Sequence, residues 1–163
     1  MCCKLPRIPA LNKPAQKLCV NCNAGVGCNI YDSRPQTCVE FYCMYMLNAA
    51  MGDEWKPSRS KMMVTYEASE ERLVVHVDPS RRGAWRSQPF HAQIKKWAAN
   101  SPRGHVLVWD GHTVSVALAD RDIDLGQAKD GQHILIRAKH TAAGKHYEAF
   151  LLDHDDPRVK AND

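Results

Sequence analysis

All seven cysteines of this 163-residue chain lie before position 44, and none of its eight histidines does. A chance distribution would not separate the two residue types so sharply, so the sequence predicts two parts with different roles. The candidate site residues are Cys2, Cys3, Cys19, Cys22, Cys28, Cys38 and Cys43.

The cellular compartment decides how such a cluster is interpreted. The first residues lack the apolar stretch of a signal peptide, and no run of about 18 apolar residues predicts a transmembrane helix. We therefore expect a cytoplasmic protein with no membrane partner. In a reducing compartment, clustered cysteines bind metal or do redox chemistry more often than they form structural disulfides.

Residues 1–30 have little apolar periodicity and are interrupted by Pro6, Pro9 and Pro14. Such a segment cannot fold on hydrophobic burial alone. Ligation of a metal ion is the cross-link that a segment of this size uses. Composition thus predicts a metal site independently of any motif.

The spacing of the cysteines supports a metal site only in part. Cys19 and Cys22 form a C-x2-C pair, which presents two sulfurs to one ion with little strain. A zinc ribbon has two such pairs, whereas this chain has one.

The first 43 residues carry five basic side chains against two acidic ones, and nearby cations help to keep thiols ionised. No basic run is interleaved with aromatic residues, so we do not expect nucleic-acid binding.

A longer pattern runs from Gly27 to Cys43. It consists of Gly-Cys-x-Ile-Tyr, then Arg-Pro, then Cys-x2-Phe-x-Cys, with a Cys-Cys pair upstream. The pattern resembles the CxxCxxCC (YkgJ-like) family of zinc- or iron-chelating proteins, over residues 2–43. The family has a CxxC motif before its Cys-Cys pair, whereas this chain begins at the pair, so Cys19 and Cys22 are candidate substitutes. The resemblance implies chelation by Cys2, Cys3, Cys28, Cys38 and Cys43.

Two residues inside this pattern have a supporting role in the prediction. We expect Tyr31 and Arg34 to hydrogen-bond the loop that holds the ion rather than to bind a substrate.

Zinc and iron lead to different expectations. Zinc would take four tetrahedral ligands and stabilise the fold, whereas an iron–sulfur cluster would bring redox activity and oxygen sensitivity.

Three functional hypotheses follow. The first is a metal-binding protein with a structural, metal-handling or sensing role. The second is an iron–sulfur enzyme with its substrate at the junction with the second part, and the third is a zinc-stabilised adaptor that binds a protein. We find no Walker, GxGxxG or GxSxG motif and assign no catalytic residue.

The fold class predicted from the patterns is α+β. A loop-rich cysteine segment with one helix precedes an antiparallel sheet domain with one helix. The predicted units are a cysteine segment 1–47, a linker 48–60, an α+β domain 61–155 and a disordered tail 156–163. The predicted strands are 61–66, 72–78, 105–109, 112–119, 132–139 and 146–152, and the predicted helices are 35–47 and 89–99.

Three local expectations complete the prediction. Cys38 and Cys43 would be roughly 140° apart around an ideal helix, so both reach one ion only if that helix bends or begins at Cys38. Residues 120–124 contain three aspartates but lack the EF-hand pattern, which indicates an exposed acidic turn. The histidines are expected at the solvated surface.

Overall fold

The computed structural model describes residues 1–141 and 144–160. Its helices and strands confirm the α+β class. The strands in these residues are β1 (Cys22–Asn23), β2 (Gly27–Cys28), β3 (Met62–Glu67), β4 (Arg72–Val77), β5 (His105–Trp109), β6 (Thr113–Leu118), β7 (Asp122–Gln127), β8 (His133–Thr141) and β9 (Gly144–Leu152). The α-helices are α1 (Gln36–Val39), α2 (Met44–Leu47), α3 (Pro57–Ser60), α4 (Phe90–Asn100) and α5 (Pro157–Lys160).

The main sheet has five strands in the order β3-β4-β5-β6-β7. Three of its neighbouring pairs are antiparallel, but β4 and β5 run parallel. The expectation of a purely antiparallel sheet is therefore wrong for this pair. The reason is that helix α4 connects the two strands. It returns the chain to the end of the sheet at which β4 begins, so β5 runs in the same direction as β4, as in a βαβ unit.

One face of this sheet packs against α4. Alternate side chains of β3, β4 and β5 point to this face, and they meet Ile94 and Ala98 of the helix. Both helix residues lie within the helix predicted at 89–99, and both are completely buried. Burial of these side chains supplies the main apolar core of the domain.

The opposite face packs against the β8–β9 hairpin. Val74, Leu107 and Val116 are buried on this face, beneath Ile134, Ile136 and other side chains of the hairpin. Since side chains alternate along a strand, Val75 and Val108 lie on the α4 face instead. The sheet is thus covered on both faces.

The acidic turn predicted at 120–124 is largely strand β7 instead. Ile123 pairs with Val116 of β6 and packs against the hairpin-side core. Asp122 accepts from His91 at 2.9 Å and also from Lys95, and Asp124 accepts from Ser115 at 2.7 Å. The prediction is wrong about the turn and about Asp122, whose side chain is 18% exposed because His91 and Lys95 pair with it, whereas the side chain of Asp124 is 65% exposed as expected.

The predicted linker 48–60 contributes to the core. It contains a 3-10 turn at Asp53–Trp55 and the short helix α3. Trp55 is 4% exposed and lies 4.6 Å from the ring of Trp97 and 4.9 Å from that of Phe90, centroid to centroid. This stretch is therefore packed against the sheet domain.

The helix predicted at 35–47 is two separate turns. Helix α1 ends at Val39, and α2 begins after Cys43, which is its extended N-cap residue. Tertiary packing overrides the helical pattern, because Phe41 and Cys43 between the two turns pack against Leu5 and Met63.

The predicted tail 156–163 is only partly described. Helix α5 occupies Pro157–Lys160, and residues 161–163 lie outside the described part. Among the described residues, no helix is long and apolar enough to cross a lipid bilayer.

Candidate metal centre

The cysteine segment is folded by backbone hydrogen bonds and one buried lysine. Ile8 and Lys13 pair across a tight turn, in which Asn12 adopts the left-handed conformation. Lys13 is 5% exposed, and its ammonium group donates to the carbonyls of Lys4, Pro6 and Pro14 at 2.9, 2.5 and 3.0 Å. The lysine thereby ties the two limbs of the loop together.

Lys13 also places a cationic group close to several thiols. Burial lowers the pKa of Lys13, while the thiols of Cys19, Cys3 and Cys38 act in the opposite direction. The ammonium group therefore lies near three of the candidate cysteines and supplies a positive charge beside them. No sequence pattern indicates the burial of Lys13, since a lysine between Asn12 and Pro14 resembles any other loop lysine.

Two contacts attach the segment to the sheet. Leu5 is 1% exposed and packs with Cys43 and with Met63 of β3. The ammonium group of Lys4 donates to both carboxylate oxygens of Asp78, at 2.8 and 2.7 Å. Asp78 is 3% exposed. Burial raises the pKa of Asp78, but hydrogen bonds from Lys4 and Ser80 more than reverse this effect and leave the pKa below its ordinary value.

Five cysteines from separate parts of the segment line one cavity of about 270 Å³. The backbone explains how they meet: Cys19 N–H donates to the carbonyl of Cys3 at 2.8 Å, which brings the C-x2-C turn beside the chain start. The amide of Cys22 then donates to the carbonyl of Cys19 at 3.0 Å and closes the turn. The five cysteines at the cavity are Cys2, Cys3, Cys19, Cys28 and Cys38.

Cys2 and Cys3 have their sulfurs 4.0 Å apart. Tetrahedral zinc with Zn–S bonds of about 2.3 Å separates neighbouring sulfurs by about 3.8 Å, so this pair is close to the spacing of two ligands of one ion. Burial raises the pKa of the Cys3 thiol to about 12, with further contributions from the neighbouring thiols of Cys2 and Cys22.

A second cavity of about 750 Å³ adjoins the first. Cys22 lines this cavity together with Cys2, Cys3 and Cys28, and three of these four also line the smaller one. Six of the seven predicted ligands therefore surround two adjoining cavities.

Cys43 has a different environment. It is 4% exposed and belongs to the small apolar cluster with Leu5 and Met63. The break between α1 and α2 separates it from Cys38, which remains at the cavity. The structure thus brings six candidate cysteines to the cavities and places the seventh in the core.

Tyr31 and Arg34 both line the smaller cavity. The guanidinium carbon of Arg34 lies 3.8 Å from the centroid of the Tyr31 ring, which is a cation–π contact. The Nε atom of Arg34 is buried and has no hydrogen-bond partner within the described residues. The two residues contact each other beside the cysteines, and the predicted hydrogen bond to the metal loop stays a prediction.

The cysteines fit a thiophilic ion in chemistry and in number, because zinc and iron–sulfur centres each take four thiolates. All seven are free thiols. Within residues 1–141 and 144–160, however, no three cysteine, histidine, aspartate or glutamate side chains form a ready-made metal site. The cysteine residues line two adjoining cavities, and the sulfurs of Cys2 and Cys3 lie at ligand spacing.

The expectation that the histidines lie at the surface is wrong for His105. This residue is 5% exposed, its Nδ1 lies 3.0 Å from the carbonyl of Arg103, and its Nε2 is buried without a partner in the described part. Burial lowers the pKa of His105, the positive charges of Arg72 and Arg103 act in the same direction, and the hydrogen bond to the Arg103 carbonyl opposes them. Its position at the start of an apolar strand was the available signal.

Comparison of the chain with protein-family models, with curated proteins and with solved structures finds no match. The resemblance to the CxxCxxCC family therefore stays a prediction, as do the enzyme and adaptor hypotheses.

Proposed function

We propose that residues 1–43 bind one zinc ion through cysteine thiolates, and that the ion stabilises this segment. The observation that carries the proposal is the meeting of Cys2, Cys3, Cys19, Cys28 and Cys38 at one cavity of about 270 Å³. Apart from the adjacent Cys2 and Cys3, these residues come from separate parts of the sequence, and several thiols at one cavity are the arrangement that zinc and iron select.

The physical need for an ion supports the same proposal. Only Leu5, Ile8, Cys19 and Cys43 are buried apolar residues among positions 1–47. So few side chains supply little hydrophobic stabilisation, whereas a structural zinc ion contributes folding free energy directly. Buried Lys13 supplies a positive charge that would offset part of the charge of a four-thiolate zinc site.

The ligands in this proposal are four of the six cysteines at the two cavities. Cys43 is left out, because its burial against Leu5 and Met63 indicates a packing role. This differs from the resemblance, which implies Cys43 as a ligand. The difference makes Cys43 the natural control residue.

Metal analysis of protein purified without oxygen tests the proposal. We expect about one equivalent of zinc per chain and a colourless protein. A brown protein with iron and sulfide would replace zinc by an iron–sulfur centre and favour the redox-enzyme hypothesis. Neither metal above trace amounts would refute a metal-binding function.

Substitutions then test the ligand set. Cys28→Ser and Cys38→Ser should remove most of the bound metal, because each takes one thiolate from the cavity. Cys43→Ala is the matched control, since it deletes a buried thiol yet should retain the metal. Metal loss in Cys43→Ala with retention in Cys28→Ser would overturn the assignment.

A further inference from the structure

Cys22 and Cys28 face each other across the two-stranded ladder of β1 and β2. The amide of Asn29 donates to the carbonyl of Asn21 at 2.8 Å, one position beyond this pair. In an antiparallel ladder, paired residues that exchange hydrogen bonds alternate with paired residues that do not. The hydrogen bond at Asn21 and Asn29 therefore makes Cys22 and Cys28 a non-hydrogen-bonded pair.

This position has the geometry that a disulfide requires. Non-hydrogen-bonded antiparallel pairs have Cα atoms about 4.5 Å apart and side chains on the same face of the ladder. Disulfides join Cα atoms that are about 4.4 to 6.8 Å apart. The usual spacing of this class of pair falls within the bonding range, at its short end, so the register of Cys22 and Cys28 suits a disulfide.

The connection between the strands can accommodate a small adjustment. Gly25 has a φ of +85°, and within residues 1–141 and 144–160 no atom beyond its two chain neighbours lies within 4 Å of the position that a Cβ would take. Val26 in the same loop is 82% exposed. In the described part of the chain, packing around Gly25 thus leaves room for a small change in strand separation.

Both thiols can be reached by a small oxidant. Cys22 and Cys28 are only partly buried, and both line the cavity of about 750 Å³. The other cysteines at this cavity are Cys2 and Cys3, which follow each other directly in the sequence.

We propose that Cys22 and Cys28 form a reversible disulfide, and that its formation withdraws two thiolates from the metal site. The second half of this statement rests on the proposed function, whereas the first half does not. Because Cys28→Ser is expected to remove most of the bound metal, oxidation of Cys28 within this disulfide should lower the metal content in the same way.

The oxidant in this proposal is a low-molecular-weight disulfide such as oxidised glutathione. One protein thiolate attacks a glutathione sulfur, forms a mixed disulfide and releases one glutathione. The second protein thiolate attacks the protein sulfur of that mixed disulfide, forms the Cys22–Cys28 bond and releases the other glutathione. Two protein thiols are oxidised, one glutathione disulfide is reduced to two thiols, and these thiols take up the two protons.

The test uses the full chain, stripped of metal and incubated in buffers of increasing oxidised-to-reduced glutathione ratio. Free thiols are then alkylated, and the linked residues are identified by peptide mapping. We expect wild type to lose two of its seven alkylatable thiols, with the bond between Cys22 and Cys28. Cys22→Ser should instead carry glutathione on Cys28, and Cys19→Ser, the matched control, should still form the bond.

A bond of Cys22 to Cys3, its other thiol neighbour, would overturn the assignment, and so would unchanged thiol counts at the highest ratio. Metal content, measured before and after oxidation of the metal-loaded protein, tests the coupling. If the disulfide forms in protein that never binds metal, the proposed function fails while the disulfide pair stands. If metal binds and the pair does not oxidise, this inference fails alone.

Discussion

Among the described residues, 22 apolar side chains are buried, and only four of them lie in residues 1–47. The other eighteen lie between Trp55 and Leu152. The exposed large apolar side chains show the opposite distribution, since eight of the nine lie between Leu18 and Leu47. The sheet domain is therefore stabilised by a core on each face, whereas the cysteine segment has little core and leaves apolar groups in solvent.

This contrast indicates two different sources of order in one chain. Burial of apolar surface on both faces stabilises the sheet domain. The cysteine segment depends on polar links, namely the buried Lys13, the pair of Lys4 with Asp78 and, in our proposal, a metal ion. The predictions that follow concern one region alone or the junction between the two.

The largest expected effect is that of metal removal. Structural zinc contributes about 10 to 16 kcal/mol in zinc-finger peptides at pH 7. A chelator should therefore abolish amide-exchange protection across residues 1–43 and leave β4, β5 and β6 protected. Hydrogen exchange followed by mass spectrometry measures both regions at once. Equal loss of protection in both would show that the regions are not independent.

Trp55→Ala should produce the next largest effect, and it acts on the sheet domain. The indole is 4% exposed and packs on Phe90 and Trp97, and removal of a buried tryptophan costs about 3 to 5 kcal/mol. Urea unfolding followed by circular dichroism measures the loss. Tyr66→Ala, at a 54% exposed residue of β3, is the control and should change little. A small effect of Trp55→Ala would restore the linker interpretation of 48–60.

Lys4→Met should have an intermediate effect at the junction of the two regions. It leaves the carboxylate of Asp78 buried without its cation, and hydrogen bonds to charged groups contribute about 1.5 to 3 kcal/mol. Limited proteolysis should show earlier cleavage in residues 1–20, and Lys17→Met, at an exposed lysine, is the control. Unchanged cleavage would mean that the apolar contacts of Leu5, Phe41 and Cys43 hold the segment on the sheet without this ion pair.

The smallest effect concerns pH and the sheet domain. The pKa of His105 is lowered in the folded protein, so the unfolded chain binds more protons once the pH falls below about 6.5. The free energy of unfolding should therefore decrease as the pH falls from about 6.5 towards 5. His105→Gln should reduce this slope without removing it, because burial lowers the pKa of His76 as well. Equal slopes in both proteins would contradict a buried neutral His105.

Several features of the fold were predictable because they depend on local periodicity. Helix α4 and strands β4 and β5 lie where their apolar patterns indicate. Strand β7 was not predicted, because closely spaced aspartates are typical of a solvated turn. Their pairing with Lys95 and Ser115 is visible only in the folded structure. The parallel pairing of β4 and β5 was missed because it depends on the path of the chain through α4.

The candidate site divides in the same way. The residue types and their clustering before position 44 identify the cysteines as a group. Spacing alone could not separate Cys43 from Cys38, because both fit one pattern and only the contact with Met63 distinguishes them. Buried Lys13 could not be recognised either, since its three carbonyl partners come together only in the folded loop.

The α+β class and the confinement of all seven cysteines to the first 43 residues could be read from the amino-acid sequence, because they depend on composition and short-range periodicity. Tertiary structure alone decided which cysteines share a cavity, which one enters the core, and that Cys22 faces Cys28. Such properties depend on the relative positions of residues that are distant along the chain, and no local pattern encodes those positions.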